Sequence, residues 1–256
     1  MKRFSNQELT HAAELLGSSR VVVALTGAGI SVASGIPDFR SPTGLWSEFD
    51  PMEYATIEAF IAQPQKVWRM FQAVSRLVEK GQPNPAHKAL AALEQAGRLH
   101  AVITQNIDGL HQSAGSKNVI ELHGTGRLLA CPECGYSEPT PPNGLPAEPP
   151  LCPHAALNHR IHRFMKPDVV LFGEQLKLKV VAELTNWQNS LDLLLVVGTS
   201  AEVFPAAALP HTVKALGACV IEINTEPTRI TNSLTNCFLQ GNAEIVLPAL
   251  AQKLLG

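Results

Sequence analysis

Five consecutive apolar residues, Val21-Val22-Val23-Ala24-Leu25, open through Thr26 into Gly27-Ala28-Gly29, and no other stretch constrains the chain as much. A run with no polar face reads as a parallel strand buried on both sides. Glycine lets the backbone turn sharply and approach a ligand closely, and Thr26, Ser31 and Ser34 bring hydroxyls beside the turn. Strand, glycine turn and helix start together form a cradle for a pyrophosphate, held by N–H groups at the helix N-terminus. A tight structural turn without a ligand is the competing reading. The dinucleotide fingerprint is incomplete, because its third glycine falls on Val32 and no acid ends a second strand about 20 residues further on. Next comes Pro37-Asp38-Phe39-Arg40, an acid, an aromatic and a cation together. Simple βα connections run about 2–6 residues, so the irregular stretch up to Tyr54 reads as a lid.

The rest of the chain keeps an α/β rhythm. Ser5 and Glu8 form a capping box ahead of Leu9, Ala12, Ala13 and Leu16, and Gly17 stops that helix. Pro64 opens a helix whose apolar face runs through Val67, Met70, Phe71 and Val74 to Gly81, and Asn84-Pro85 opens another. Leu99–Thr104 is a short strand ending in Gln105-Asn106-Ile107-Asp108. Val119–Leu122 is a strand that ends in His123-Gly124. Ligands of open α/β sheets bind beyond the carboxyl ends of the strands, so a histidine there is well placed for catalysis. After an interruption the rhythm is expected to resume at Pro167. Leu191–Val197 then ends in Gly198-Thr199-Ser200, and Ala218–Ile223 ends at Asn224. Helices are expected at about Leu176–Asn189, at Pro205–Leu216 and, closing the chain, at Asn242–Leu255.

The interruption, from Gly124 to Lys166, carries Cys131-Pro132-Glu133-Cys134, a proline-rich stretch, and Cys152. C-x2-C followed after about 17 residues by another Cys is three-quarters of a zinc ribbon. A segment too rich in Pro and Gly to build a core would take its missing folding energy from the metal. Ala155 stands where a fourth cysteine would fall. His162 is the expected fourth ligand, with His159 as alternative and a degenerate, metal-free module as the competing reading. Cys219 and Cys237 lie in apolar runs and read as inert buried thiols.

Composition narrows the class. In 256 residues, 45% are hydrophobic and 16% charged, which suits a globular chain with one large domain and an insert. A net charge of −2 gives no global field to recruit nucleic acid or an anionic membrane. No apolar run reaches the 18 or so residues of a membrane span, and no signal-peptide core follows Met1-Lys2-Arg3. Five cysteines, an odd number, argue against a disulfide framework, and the cytoplasm is the expected location.

Taken in order, Gly27-Ala28-Gly29-Ile30-Ser31, Gly35-Ile36-Pro37-Asp38-Phe39-Arg40, Thr104-Gln105-Asn106-Ile107-Asp108, His123-Gly124, Phe172-Gly173-Glu174 and Gly198-Thr199-Ser200 resemble the motif series of the sirtuins. The resemblance implies a doubly wound, Rossmann-like parallel sheet (residues 1–123 and 167–256) with a small zinc-ribbon-like inserted domain (124–166) and the substrate cleft between them. It implies an NAD-dependent protein lysine deacylase that transfers the acyl group to ADP-ribose and releases nicotinamide. By position, His123 would be the general base; Asn106 and Gln105 would hold the ribose and order water. Asp108 and Ile107 would hold the nicotinamide carboxamide, and Phe39 would shield the sugar. Gly27, Ala28, Gly29, Ser31, Asp38, Arg40, Gly198, Thr199 and Ser200 would surround the phosphates and nearby ribose, with Asn224 at the adenine ribose. Val170, Phe172, Gly173 and Glu174 would pair an acyl-lysine peptide as an added strand, and zinc would be structural. Tyr54 is followed three positions later by Ile57, so the Tyr-x-x-Arg pair that reads acidic acyl groups is missing, which favours uncharged acyl groups. Ala201 stands where the family often has a larger aliphatic residue. Two other readings use the same pocket: a mono-ADP-ribosyltransferase or NAD glycohydrolase, and a non-catalytic NAD or ADP-ribose sensor.

Overall fold

The computed structural model describes residues 4–154 and 164–256. Its helices are α1 (Asn6–Ser18), α2 (Pro51–Tyr54), α3 (Ile57–Ala62), α4 (Pro64–Lys80), α5 (Pro85–Gln95), α6 (Leu110–Ser113), α7 (Leu178–Gln188), α8 (Ala208–Ala215) and α9 (Ala243–Leu255). Its strands are β1 (Val22–Thr26), β2 (Ala101–Thr104), β3 (Val119–Glu121), β4 (Gly124–Ala130), β5 (Ser137–Pro139), β6 (Lys166–Val169), β7 (Leu193–Val197), β8 (Cys219–Asn224) and β9 (Cys237–Gln240).

Six strands form one sheet in the order β3-β2-β1-β7-β8-β9, and every neighbouring pair is parallel. Counted within the sheet this is 3-2-1-4-5-6, the doubly wound order, with its topological switch point between β1 and β7. The two-sided burial expected of β1 is visible residue by residue. Val22 and Ala24 pack with Leu16, Leu90, Leu93, Val246 and Leu250 of α1, α5 and α9 on one face. Val23 and Leu25 pack with Leu184, Leu209 and Val213 of α7 and α8 on the other. The capping box of α1 is present, with Ser5 Oγ accepting from the Glu8 N–H at 3.1 Å and Glu8 accepting from the Ser5 N–H at 2.6 Å.

A second, three-stranded sheet has the order β5-β4-β6. It corrects the expectation that the α/β rhythm resumes at Pro167: Lys166–Val169 pairs antiparallel with β4 instead. A short apolar run does not encode which sheet it joins, since periodicity is the same in either. Leu129, Cys131, Cys152, Met165 and Val169 of this region share a third core with Phe60 of α3 and Val67, Trp68 and Phe71 of α4. The proline-rich stretch therefore borrows a core from α4, whose Trp68 Nε1 and Gln72 Nε2 each donate to the Pro146 carbonyl at 2.8 Å. Strand β9 escaped the sequence reading, because four residues between polar loops carry too little pattern. The helix expected directly after β1 is replaced by two short 3-10 turns, Ala28–Ile30 and Val32–Ser34.

Behind the ends of β1 and β2, two histidine rings pack edge to face, His87 and His111, with centroids 4.9 Å apart. His111 Nε2 lies 2.9 Å from Thr26 Oγ1, which also donates to Thr104 Oγ1. Burial pushes His87 from the ordinary 6.5 down to about 4, against the attraction of Asp108. It pushes His111 down to about 3, and a charged His87 would push further the same way. The unfolded chain thus binds more protons than the folded one below pH 6.5. Stability should be complete above that pH and decline as the pH falls from about 6.5 towards these depressed values. Urea unfolding midpoints measured between pH 7.5 and about 5 should fall, and the fall should be shallower in His111→Gln.

Candidate functional site

The site is built where two glycine turns touch. The Gly27 N–H donates to the Val197 carbonyl at 3.1 Å and the Gly29 N–H to the Gly198 carbonyl at 2.9 Å. A Cβ on Gly27 would stand 2.7 Å from Thr199 Cβ, and one on Gly29 would stand 2.8 Å from Gly198 Cα. Gly198 itself has φ +59, and a Cβ there would lie 2.5 Å from the Ile30 nitrogen. The glycines therefore serve the contact between the turns of β1 and β7, in addition to any approach by a ligand. With 3-10 turns following β1, a long helix dipole is not part of the cradle, and the N–H groups of Ile30 and Ser31 already bond to Gly27 and Ala28. An alanine at position 29 would drive backbone into backbone. Gly29→Ala should cost about 1–3 kcal/mol of stability, read as a lowered denaturant midpoint.

Asn106 ends β2 and is buried. Its Nδ2 donates to the Gly27 carbonyl at 3.2 Å and to Ser31 Oγ at 3.0 Å, while Ser31 Oγ donates to Asp108 Oδ2 at 2.7 Å. Asp108 Oδ1 accepts from the Leu110 N–H at 2.9 Å. Ser31 and Asp108, both expected around the cofactor, are brought together here, but their side chains hold Asn106 from behind rather than lining the cleft. Gln105 crosses the switch point, its Nε2 donating to Thr199 Oγ1 at 2.9 Å. Asn224 Nδ2 donates to the Thr199 carbonyl at 2.9 Å.

His123 is half-buried at the end of β3. Its Nδ1 lies 3.0 Å from the Gln105 carbonyl. A carbonyl only accepts, so Nδ1 carries the proton and Nε2 keeps its lone pair for the cleft. Burial lowers the His123 pKa below 6.5, partly offset by the Gln105 bond. Gly124 has φ +79, and a Cβ there would lie 2.0 Å from the Asp168 carbonyl oxygen. This explains the His-Gly pair: β6 passes directly over the residue that follows the histidine.

The lid is an ordered turn. Asp38 Oδ1 accepts from the N–H groups of Arg40 and Ser41, at 3.1 and 2.8 Å. Phe39 packs on Trp46 with centroids 5.0 Å apart. Arg40 Nη1 donates to Ser200 Oγ at 2.9 Å and is ion-paired with Glu202, a residue that no sequence signal singled out.

The run expected to pair a substrate strand already has part of its backbone engaged. The Phe172 N–H donates to the Ala55 carbonyl at 2.9 Å and its carbonyl accepts from the Ile57 N–H at 3.0 Å. Phe172 thus offers the cleft its ring, not a free strand edge. Glu174 turns inward, Oε2 accepting from the Leu171 N–H at 2.8 Å and pairing with buried Lys166 at 2.9 Å. Phe172 is held by residues 55–57, a long-range pairing that local sequence does not encode, whereas Glu174 is held by Leu171 and Lys166 nearby in the chain. The Val170 N–H bonds to the His123 carbonyl at 2.8 Å.

All these elements border one cleft of about 1120 Å³, whose walls include Gly27, Phe39, Gln105, Asn106, His123, Phe172, Thr199 and Asn224. Pockets for single small molecules measure about 300–1,000 Å³, so this larger space suits a dinucleotide with part of a second substrate. While His159 and His162, the expected candidates for a fourth ligand, lie outside the described residues, the thiols of Cys131, Cys134 and Cys152 come together. Their Sγ atoms lie within 4.8 Å of one another, and those of Cys134 and Cys152 are 3.6 Å apart. Three converging thiols supply three of the four soft donors of a tetrahedral structural zinc site.

The Sir2 family model matches residues 27–205. This chain belongs to the Sir2 family. An NAD-dependent protein deacylase of Thermococcus kodakarensis is 44% identical over 251 residues, covering 96% of this chain and 95% of that protein. A solved Sir2 homologue–NAD complex superposes with a TM-score of 0.87 at 39% identity, covering 99% of this chain and 95% of the other. The structure of Sir2Af2 bound to a myristoylated histone peptide superposes with a TM-score of 0.78 at 35% identity, covering 98% and 97%. For this Sir2 chain, elemental analysis should find about one zinc per chain, the stoichiometry of a four-ligand structural site. Cys134→Ser should lose the metal and melt at a lower temperature.

Proposed function

We propose that this chain is an NAD-dependent protein lysine deacylase that moves an acyl group from lysine to ADP-ribose. The observation that carries the reading is His123: an imidazole with Nδ1 tied to Gln105 and Nε2 free, in a cleft beside the two glycine turns. Relatives named NAD-dependent protein deacylases support it, as do family structures holding NAD and a myristoylated histone peptide. NAD, when bound, supplies an electrophilic ribose carbon with nicotinamide as its leaving group. His123 Nε2 takes the proton of a ribose hydroxyl, and burial keeps the imidazole neutral and basic at neutral pH. Asn106, fixed by Gly27 and Ser31, holds the ribose, and Gln105 keeps its carbonyl on His123. Phe39 covers the reacting face and excludes water. Gly27, Ala28, Gly29, Arg40, Gly198, Thr199 and Ser200 surround the phosphates, and Asn224 the adenine ribose. Ile107 lines the nicotinamide end, and Asp108 positions that end through Ser31 and Asn106.

An acyl-lysine protein or peptide enters along Val170, Phe172 and Gly173. Met70, Phe71, Ala55 and Leu171 line the inner cleft, and this apolar wall supports uncharged acyl groups. Tyr54 packs on Phe49 with the Lys66 ammonium over its ring. No helix among the described residues is long and apolar enough to cross a membrane. Three cysteines gathered as metal-ligating thiols suit a reducing compartment, the cytoplasm.

Mass spectrometry of an acetyl-lysine peptide incubated with and without NAD tests the reading. Free lysine peptide, nicotinamide and O-acetyl-ADP-ribose should appear together and only with NAD. His123→Ala should slow them by about 10²–10⁴-fold. The acid limb of kcat/KM should have its midpoint below the histidine's ordinary 6.5. Nicotinamide without deacetylation would replace the reading with a transferase or glycohydrolase, and NAD binding without turnover would leave a sensor.

A further inference from the structure

Glu202 follows the glycine turn of β7 and sits between two arginines from different loops. One carboxylate oxygen pairs with Arg40 of the lid, and the other lies 3.2 Å from Nε of Arg229, on the loop after β8. The Arg40 Nη1 engaged by Glu202 is the same nitrogen that donates to Ser200 Oγ at 2.9 Å. Arg40 and Ser200 line the cleft, so Glu202 draws on the guanidinium from outside the wall. The backbone is bent to allow this. Ala201 holds φ 51, a left-handed conformation unfavourable for a residue with a Cβ, and its N–H donates to Thr199 Oγ1 at 3.1 Å.

We propose that Glu202 is a built-in competitor for Arg40 that sets the affinity of the cleft for the cofactor's diphosphate, an inference that rests on reading the cleft as the NAD site. A guanidinium already committed to a carboxylate must leave it or be shared when a phosphate oxygen arrives. The carboxylate also repels the incoming dianion, and Arg229 offsets part of that repulsion. Glu202 therefore weakens dinucleotide binding and speeds release, while Arg229 moderates it.

Calorimetric titration with ADP-ribose and, separately, with adenosine tests this on the intact chain. Glu202→Gln should bind ADP-ribose about three- to fivefold more tightly, as expected for removing one partly exposed charge interaction, with adenosine affinity unchanged. The gain should shrink between about 0.05 M and about 0.5 M salt. Arg229→Gln, which leaves Glu202 unmoderated, should bind ADP-ribose more weakly. Equal or weaker ADP-ribose binding by Glu202→Gln, or an equal gain for adenosine, would overturn the proposal while leaving the cofactor reading intact. A wild-type chain that binds no ADP-ribose and releases no nicotinamide from NAD would overturn both.

Discussion

The structure depends on the contact between the turns that end β1 and β7. At the switch point the chain winds away in opposite directions, so these two strand ends open a crevice between their connections. Here the Gly29 N–H bonds directly to the Gly198 carbonyl, and each glycine leaves room that a methyl group on the other would fill. The cleft floor is thus locked before any side chain is considered. Thr199 extends the lock sideways, accepting from Gln105 through its hydroxyl and from Asn224 through its carbonyl.

Around that floor the polar residues fall into two groups. Behind the wall Ser31 bonds to Asp108, and Thr26 bonds to Thr104 and His111. Gln105, Asn106 and His123 reach the cleft, and each is oriented by a bond to the group behind or beside it. A base that must act in a dry pocket needs its tautomer set beforehand, because no water is present to relay the proton. The Gln105 carbonyl sets it for His123. Gly124 then lets the small sheet close over that side of the pocket, so the residue after His123 joins the cleft to the small sheet.

Much of this was legible in the chain itself. The buried strands announced themselves as uninterrupted apolar runs, and each motif sat at a strand end because side chains there project into the crevice. The roles of neighbours within a motif were less legible. Asp108 and Asn106 look equivalent in Gln105-Asn106-Ile107-Asp108, yet one supports and the other faces the cleft. Phe172 and Glu174 read as strand-edge residues, yet residues 55–57 and Lys166 had already claimed their polar groups. The outcome for Phe172 turns on partners in residues 55–57 and that for Asp108 on Ser31, 77 positions away, and no local pattern carries that information.

By itself, then, the sequence determined the α/β class, the order of the strand-end motifs and the three thiols, because apolar periodicity, glycine and metal-ligand spacing act over a few residues. The tertiary structure alone decided that β6 joins the small sheet, that α4 supplies that sheet's core, and that Glu202 reaches Arg40. Each is a contact between segments remote in sequence, selected by which surfaces remain to be buried or neutralised once the central sheet has formed.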